Sequence, residues 1–324
     1  MKKPLKHRVM KHREALETRA MNSVGGAMER ASWDACRRTG AWMGLLLFSA
    51  FRARRAIGIA NVQLAFPYLS ETQARRIVRR SYQNFAMMFC EFLHLRVAPL
   101  AQIRAYCEVQ GLNVLTAARR DDLGCILMTA HLGNWEVLGA RLAQEMALTA
   151  VARPTSNSGV EAHIASIRAA VGLKVISKNE TGRNVLRELK SGNSLIILPD
   201  QYAWPDGTLL PFFGHPTRVV TSPARISLMT GAPIVPAFGV RRTPWLADGR
   251  IVVRVAPSFQ VEKSGDRDAD VLNGTRRVIH EMETAVRAHP EQWLWVHKRW
   301  RDRDLKPETS LETDDRKSFE ARDD

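Results

Sequence analysis

The residues best suited to chemistry lie together in Thr129-Ala130-His131-Leu132-Gly133-Asn134-Trp135-Glu136. An apolar run ends at His131, Gly133 allows a turn, and a helix opens near Asn134. Near neutral pH an imidazole can act as a base at one nitrogen if a carboxylate holds the N–H of the other. Glu136 stands five residues on, in the first helical turn, where it is expected to accept that N–H. General-base action of this kind contributes about 10²–10⁴-fold to a rate. The helix start also brings backbone N–H groups to which an anion or a developing oxyanion can bind. Taken alone, the same letters equally describe an Asn134 helix cap beside a hydrogen-bonded loop histidine.

Other chemistries lack their signatures. The chain has no H-E-x-x-H pair for zinc, no G-x-S-x-G nucleophile elbow, and neither a Walker A loop nor a G-x-G-x-x-G phosphate loop. A sequential transfer without a covalent enzyme intermediate needs none of these, and no cofactor or metal is expected.

The elements that must position His131 follow from the hydrophobic pattern. Residues 1–32 read as a basic, partly helical lead-in, and residues 33–100 as helical throughout. Ser70-Glu71-Thr72-Gln73 has capping-box spacing ahead of Ala74–Leu95. Along that helix Phe85, Met88, Phe89, Phe92 and Leu93 recur at helical spacing. From about residue 110, short apolar runs alternate with helices. Strands are expected at Cys125–Ala130, Leu148–Ala152, Leu173–Ile176, Ser194–Leu198, Pro233–Phe238 and Ile251–Val255. Helices are expected at Trp135–Gln144, Gly159–Val171, Gly182–Lys190, Pro223–Thr230 and Asp270–Ala288. This alternation predicts an α/β fold with a mixed, largely parallel sheet flanked by helices and a helical amino-terminal layer. Ligands of open α/β sheets sit beyond the carboxyl ends of the strands, and His131, Arg153 and Asp200 each follow a strand.

Composition narrows the partner. The formal charge of +15 points to an anionic surface, phosphorylated substrate or nucleic acid. Residues 1–55 hold 13 Lys/Arg against 4 Asp/Glu, while residues 301–324 hold 6 against 9. The carboxyl end therefore reads as an acidic, solvated tail. Cys36, Cys90, Cys107 and Cys125 form no C-x-x-C pair and suit a reducing compartment. The basic start runs into more charge, so no secretory signal is expected. Thr39–Phe51 is uncharged between Arg37/Arg38 and Arg52/Arg54/Arg55. Its 13 residues would span roughly 20 Å as a helix, short of the ~30 Å hydrocarbon core. An interfacial anchor fits this run best; a buried helix and a tilted span are the alternatives.

His131-x4-Glu136 within His-Leu-Gly-Asn-Trp-Glu resembles the H-x4-D/E motif of glycerolipid acyltransferases, and in detail the late lipid A biosynthesis acyltransferases of the lauroyl/myristoyl group. Four further stretches are similar in the same order: Arg153-Pro154 with Arg168-x3-Gly172, Pro199-Asp200-Gln201, Leu210–Gly214, and Pro290–His297. The resemblance covers residues 52–301. It implies a boundary after the lead-in at 1–51, an acyltransferase domain over 52–301 and a tail over 302–324. Three departures stand out: Tyr202 where a second acid is common, Asn157-Ser158 in place of Asn-Pro, and the short apolar run in place of a transmembrane helix.

The resemblance implies transfer of a fatty acyl group from acyl-ACP or acyl-CoA to a hydroxyl of a phosphorylated glycolipid such as a lipid A precursor. His131 would be the base and Glu136 its orienting partner. Arg153 and Arg168 would hold phosphate or stabilise charge at the thioester carbonyl, Asp200 would organise the site, and Asn134 would assist binding. Arg153 and Arg168 could equally pair with helix carboxylates, and Asp200 could cap a turn. The expected setting is an anionic membrane surface, the cytoplasmic face of a bacterial inner membrane. Rival acceptors are a lysophospholipid, a phosphoinositol mannoside or an aminolipid. A basic nucleic-acid-binding module or an idle membrane scaffold are the rivals of another class; no recognised nucleic-acid motif is present, and none of the expected partners is a nucleic acid.

Overall fold

The structure, a computed structural model, describes residues 3–119, 122–177, 182–203, 205, 207–243 and 245–302. The acidic tail expected from residue 302 onward lies, apart from Asp302 itself, outside the described residues.

The amino-terminal third is helical: α1 (Lys3–Arg30), α2 (Trp33–Ala50), α3 (Arg52–Ala65), α4 (Glu71–His94) and α5 (Leu100–Tyr106). Ser32 caps α2, and Ser70 with Gln73 forms both hydrogen bonds of the capping box that starts α4. The stretch expected to be helical throughout thus breaks near Phe51, at the Phe66–Ser70 turn and after Leu95. Helix α2 lies against α4 at unusually short range. A Cβ on Gly40 would come within 2.4 Å of the Met87 Cα, and one on Gly44 within 2.4 Å of the Gln83 Cα. These two glycines, four apart on one face, let the backbones meet.

The α/β part runs β1 (Cys107–Gln110), α6 (Leu112–Ala118), β2 (Ile126–Met128), α7 (Trp135–Leu142), β3 (Leu148–Ala152), α8 (Ser158–Ala170), β4 (Lys174–Ser177), α9 (Gly182–Lys190) and β5 (Ser194–Ile197). It continues with β6 (Thr208–Phe212), β7 (His215–Val219), α10 (Ser222–Thr230), β8 (Ile234–Arg241), β9 (Ile251–Val255) and α11 (Arg267–Ala288). Seven strands form one sheet in the order β1-β9-β8-β2-β5-β3-β4. Every pairing in it is parallel except β8 with β9. The fold is therefore the mixed, largely parallel α/β sheet flanked by helices that the pattern predicts.

The sheet splits the core by strand periodicity. Ile126 and Met128 face one layer with Val78, Phe212 and Trp295, whereas Leu127 faces another with Phe92, Val137 and Leu138. Helices α5 and α6, strand β1 and the β6–β7 pair were absent from the sequence reading. Strand β1 is a four-residue edge strand with alternating burial. Strands β6 and β7 form a separate antiparallel hairpin. Each carries a proline, which argues against a strand by pattern; here each strand has a single partner, so the missing N–H is tolerated.

Among the described residues no helix is long and apolar enough to cross a membrane. The Thr39–Phe51 run is instead most of α2, buried along the Gly40/Gly44 side and open on the other. Trp42 is 71% exposed and Leu46 67%.

Candidate active site

Strands β2 and β5 are parallel neighbours with Met128 opposite Ile197. Three residues beyond those partners stand His131 and Asp200, so strand register alone brings the two to the same level past the sheet. The contact is direct. His131 Nδ1 lies 2.7 Å from Asp200 Oδ1, and the His131 backbone N–H donates to Oδ2 at 2.9 Å. The Trp293 indole N–H donates to the same Oδ2 at 2.8 Å. Because an ionised carboxylate only accepts, Nδ1 carries the proton and Nε2 presents its lone pair, with the Gln201 amide nitrogen 3.2 Å away.

Burial alone would raise the Asp200 pKa. The His131 imidazole and the three hydrogen bonds outweigh it and hold the carboxyl down at about 2. Asp200 is only 2% exposed, whereas the His131 side chain is one-fifth exposed. A buried anion thus orients an imidazole whose other edge reaches the surface.

The expected contact between Glu136 and the imidazole is not made. Glu136, in the first turn of α7, pairs with Arg168 of α8: Nη2 to Oε1 is 2.6 Å and Nε to Oε2 is 3.2 Å. Helix α7 carries the glutamate toward α8, while the neighbouring strand end has already supplied His131 with a carboxylate. Arg168 is largely buried; burial would lower its pKa, but Glu136 raises it above the ordinary value. The guanidinium also lies over the Phe92 ring at 5.8 Å. Of the other predicted residues, Arg153 is exposed just past β3. Asn134 is fully buried and structural in its contacts. Its Oδ1 accepts from Val137 N at 2.9 Å as the cap of α7, and its Nδ2 donates to Glu91 Oε2 at 2.6 Å. A side chain committed at both ends inside the protein has no group to offer a ligand.

Glu91 belongs to a network that sequence reasoning missed. Arg241 of β8 meets it bidentately at 2.6 and 2.7 Å, both side chains at 0% exposure. Tyr106 adds a hydroxyl donor at 2.6 Å to Oε1. Burial disfavours the charged arginine, but Glu91 and Tyr106 push its pKa above the usual range. This pair ties α4, α5 and β8 to the residue that starts α7. Gly133 completes the turn at φ +62°, and any Cβ there would lie 2.0 Å from the Gly239 carbonyl oxygen. Neither Glu91 nor Arg241 carries a local signal, because their pairing spans 150 residues.

The carboxyl-terminal segment closes the site. Leu132 and Trp293 form an isolated β-bridge, and Leu294 N donates to His131 O at 3.1 Å. Gln292 O accepts from Gly133 N at 3.0 Å. Trp135 packs edge-on against the His131 ring at 4.8 Å between centroids, and Phe85 lies 6.2 Å from Trp135. One turn along α4, Phe89 lines an open apolar groove of about 420 Å³ with Ala20, Met21, Val24 and Val160. A second groove of about 520 Å³ lies between α3 and residues 298–301, where Ile57 and Ala60 face Lys298 and Arg301.

Comparison with known proteins identifies the family. The family described as Bacterial lipid A biosynthesis acyltransferase matches residues 5–302. The lipid A biosynthesis palmitoleoyltransferase of Escherichia coli (strain K12) is 22% identical over 266 residues, covering 82% of this chain and 84% of that one. The lauroyltransferase of the same organism is 22% identical over 268 residues, with 82% and 85% covered. A phosphatidylinositol mannoside acyltransferase of Mycobacterium tuberculosis (strain ATCC 25618 / H37Rv) is 27% identical over 198 residues, 59% of each chain. With its matched span running from the first helix to the segment that closes over His131, the chain belongs to the bacterial lipid A biosynthesis acyltransferase family.

Proposed function

We propose that this acyltransferase moves a fatty acyl group from a thioester donor, acyl-ACP or acyl-CoA, to a hydroxyl of a phosphorylated glycolipid at an anionic membrane surface. The observation that carries the reading is the His131–Asp200 contact, which leaves Nε2 as a lone-pair acceptor at the open edge of the site. His131 Nε2 takes the hydroxyl proton as the oxygen attacks the thioester carbonyl, and the resulting imidazolium returns it to the leaving thiolate. Asp200 orients the ring and stabilises its charged form. Glu136 acts through Arg168, fixing a guanidinium beside the site, where it can bind phosphate or the donor. Arg153, exposed past β3, is the second cation for the same task.

The line from His131 through Trp135 and Phe85 to Phe89 leads toward the apolar groove and supports an acyl path there. Matches to enzymes named for lipid A biosynthesis and for phosphatidylinositol mannoside acylation support a glycolipid acceptor. The test is transfer from labelled acyl-ACP or acyl-CoA to each acceptor class in parallel, with His131→Ala as control. One acceptor gaining a single acyl mass, at a rate at least about 10²-fold above the variant, is expected. A His131→Ala protein with wild-type turnover removes the mechanism.

For the membrane, the open face of α2 aligns Arg38, Trp42, Leu46 and Ala50 at fourfold spacing, and Phe51 follows at 54% exposure. Residues 35–70 hold five arginines and no acidic residue. Apolar side chains with an interfacial tryptophan and a basic rim fit a peripheral helix on an anionic leaflet. Bacterial inner-membrane association at the cytoplasmic face follows from that reading and the substrates proposed.

A further inference from the structure

Deprotonation and attack leave one requirement unmet: something must stabilise the oxygen of the thioester carbonyl as it becomes an anion. The backbone N–H groups around His131 are mostly spent inside the protein. His131 N goes to Asp200, Gly133 N to Gln292 O at 3.0 Å, Asn134 N to Gly239 O at 2.7 Å, and Val137 N to the Asn134 side chain. The nearest side-chain donor is Gln201, whose Nε2 stands 3.2 Å from His131 Nε2. With the proton on Nδ1, the bare Nε2 accepts and the amide N–H donates. The Gln201 amide therefore occupies the place the acceptor hydroxyl must take.

Its surroundings restrain everything except that amide. Asp200 is held by His131 and Trp293. The Gln201 carbonyl accepts from Arg299 Nη1 at 2.6 Å, and Tyr202 N donates to His297 Nε2 at 3.0 Å. Three successive residues are pinned by one segment, 293–299. Arg299 is 0% exposed; its Nη1 donates to the carbonyls of Gln201 and Arg218, its guanidinium lies over the Phe212 ring at 4.8 Å, and its Nε and Nη2 find no hydrogen-bond partner among the described residues. A buried cation with no ion-pair partner among the described residues is costly, and Asp200 offsets that cost only through space, so this clamp is an expensive way to hold a turn unless the turn has a task.

We infer that Gln201 is a further catalytic residue: its side-chain amide yields Nε2 to the acceptor hydroxyl and donates its N–H to the oxyanion of the tetrahedral intermediate. In that step the hydroxyl oxygen forms the new C–O bond, its proton passes to His131 Nε2, and the carbonyl π pair moves onto oxygen. Collapse re-forms the carbonyl and breaks the C–S bond, and the thiolate takes the proton from the imidazolium. The amide lends a hydrogen bond throughout and exchanges no proton. The inference rests on His131 being the base, and the experiment separates the two.

Full-length Gln201→Ala and Gln201→Met are compared with wild type and His131→Ala for acyl transfer from acyl-ACP or acyl-CoA, with kcat and KM measured for both substrates and folding followed by thermal midpoint. Removal of one oxyanion donor typically lowers kcat about 10²–10³-fold. That loss in both variants, at KM within about threefold and unchanged midpoint, supports the inference; Met keeps the bulk and isolates the donor should Ala fold poorly. Equal or higher kcat in either folded variant overturns it and moves the role to the Trp135 and Glu136 N–H groups at the start of α7. A change confined to acceptor KM also overturns it, leaving Gln201 a binding contact. Full activity in His131→Ala instead overturns the base itself.

Discussion

At the scale of single residues, two carboxylates near the histidine have different tasks, and substitution separates them. Asp200 touches the imidazole, and in Asp200→Asn the one remaining oxygen stays with the two N–H donors on the Oδ2 side, so an NH2 faces Nδ1 and the wrong tautomer is favoured. A kcat loss of about 10²–10⁴-fold with nearly unchanged KM is expected from steady-state kinetics. Glu136→Gln leaves His131–Asp200 intact and frees Arg168, so its effect should fall chiefly on KM for the anionic substrate. Equal kcat losses with unchanged KM in both variants would contradict this division. The pH dependence is set beside them by His297. Burial, with Arg299 next, pushes its pKa down to about 4, so it is neutral when folded and accepts from Tyr202 N. The unfolded chain binds this proton from about pH 6.5 downward, so stability is full above that pH and declines toward pH 4. Chemical denaturation of His297→Gln should show a shallower decline across that window than wild type.

At the scale of elements, the start of α7 is the joint on which the site depends. The buried Glu91–Arg241 pair, the Asn134 cap and Gly133 fix where β2 ends and where the helix begins. Arg241→Met alone leaves Glu91 buried without its partner and should cost about 3–5 kcal/mol in denaturant unfolding. The double variant Glu91→Leu/Arg241→Met should recover most of that loss while activity stays low, because Asn134 Nδ2 then lacks its acceptor. Recovery of both stability and activity in the double variant would show that the pair has no part in placing the catalytic turn. The α2–α4 contact has a different logic. Gly40 and Gly44 allow backbone contact, so the apolar run becomes a docked helix with one open face.

For the whole molecule, the open face of α2, the arginines that follow it and the groove beside Lys298 and Arg301 define how the enzyme would meet a membrane. Cosedimentation should show stronger binding to phosphatidylglycerol vesicles than to phosphatidylcholine vesicles, weakening as salt rises. The pair Trp42→Gln/Leu46→Gln should weaken vesicle binding about tenfold or more, since even partial burial of two such side chains contributes on the order of 2 kcal/mol. Unchanged binding would take α2 out of the docking surface.

The division between what was legible in sequence and what was not follows the range of the forces involved. Strands β2, β3, β5 and β9, helices α7–α11, the Ser70 cap and the position of His131 at a strand end all follow from local periodicity and capping, which neighbouring residues decide. His131 and Glu136 could be picked out because five residues and a glycine turn lie between them. Their contact could not be settled that way. Met128 opposing Ile197, a pairing across 69 positions, places Asp200 on the imidazole and leaves Glu136 to Arg168. Glu91 with Arg241, Arg299 on the Gln201 carbonyl and Trp293 on Asp200 are likewise long-range, and no local pattern marks such partners. The sequence by itself determined most of the elements and the histidine; strand order and register, which only the packed sheet decides, chose the carboxylate that holds it.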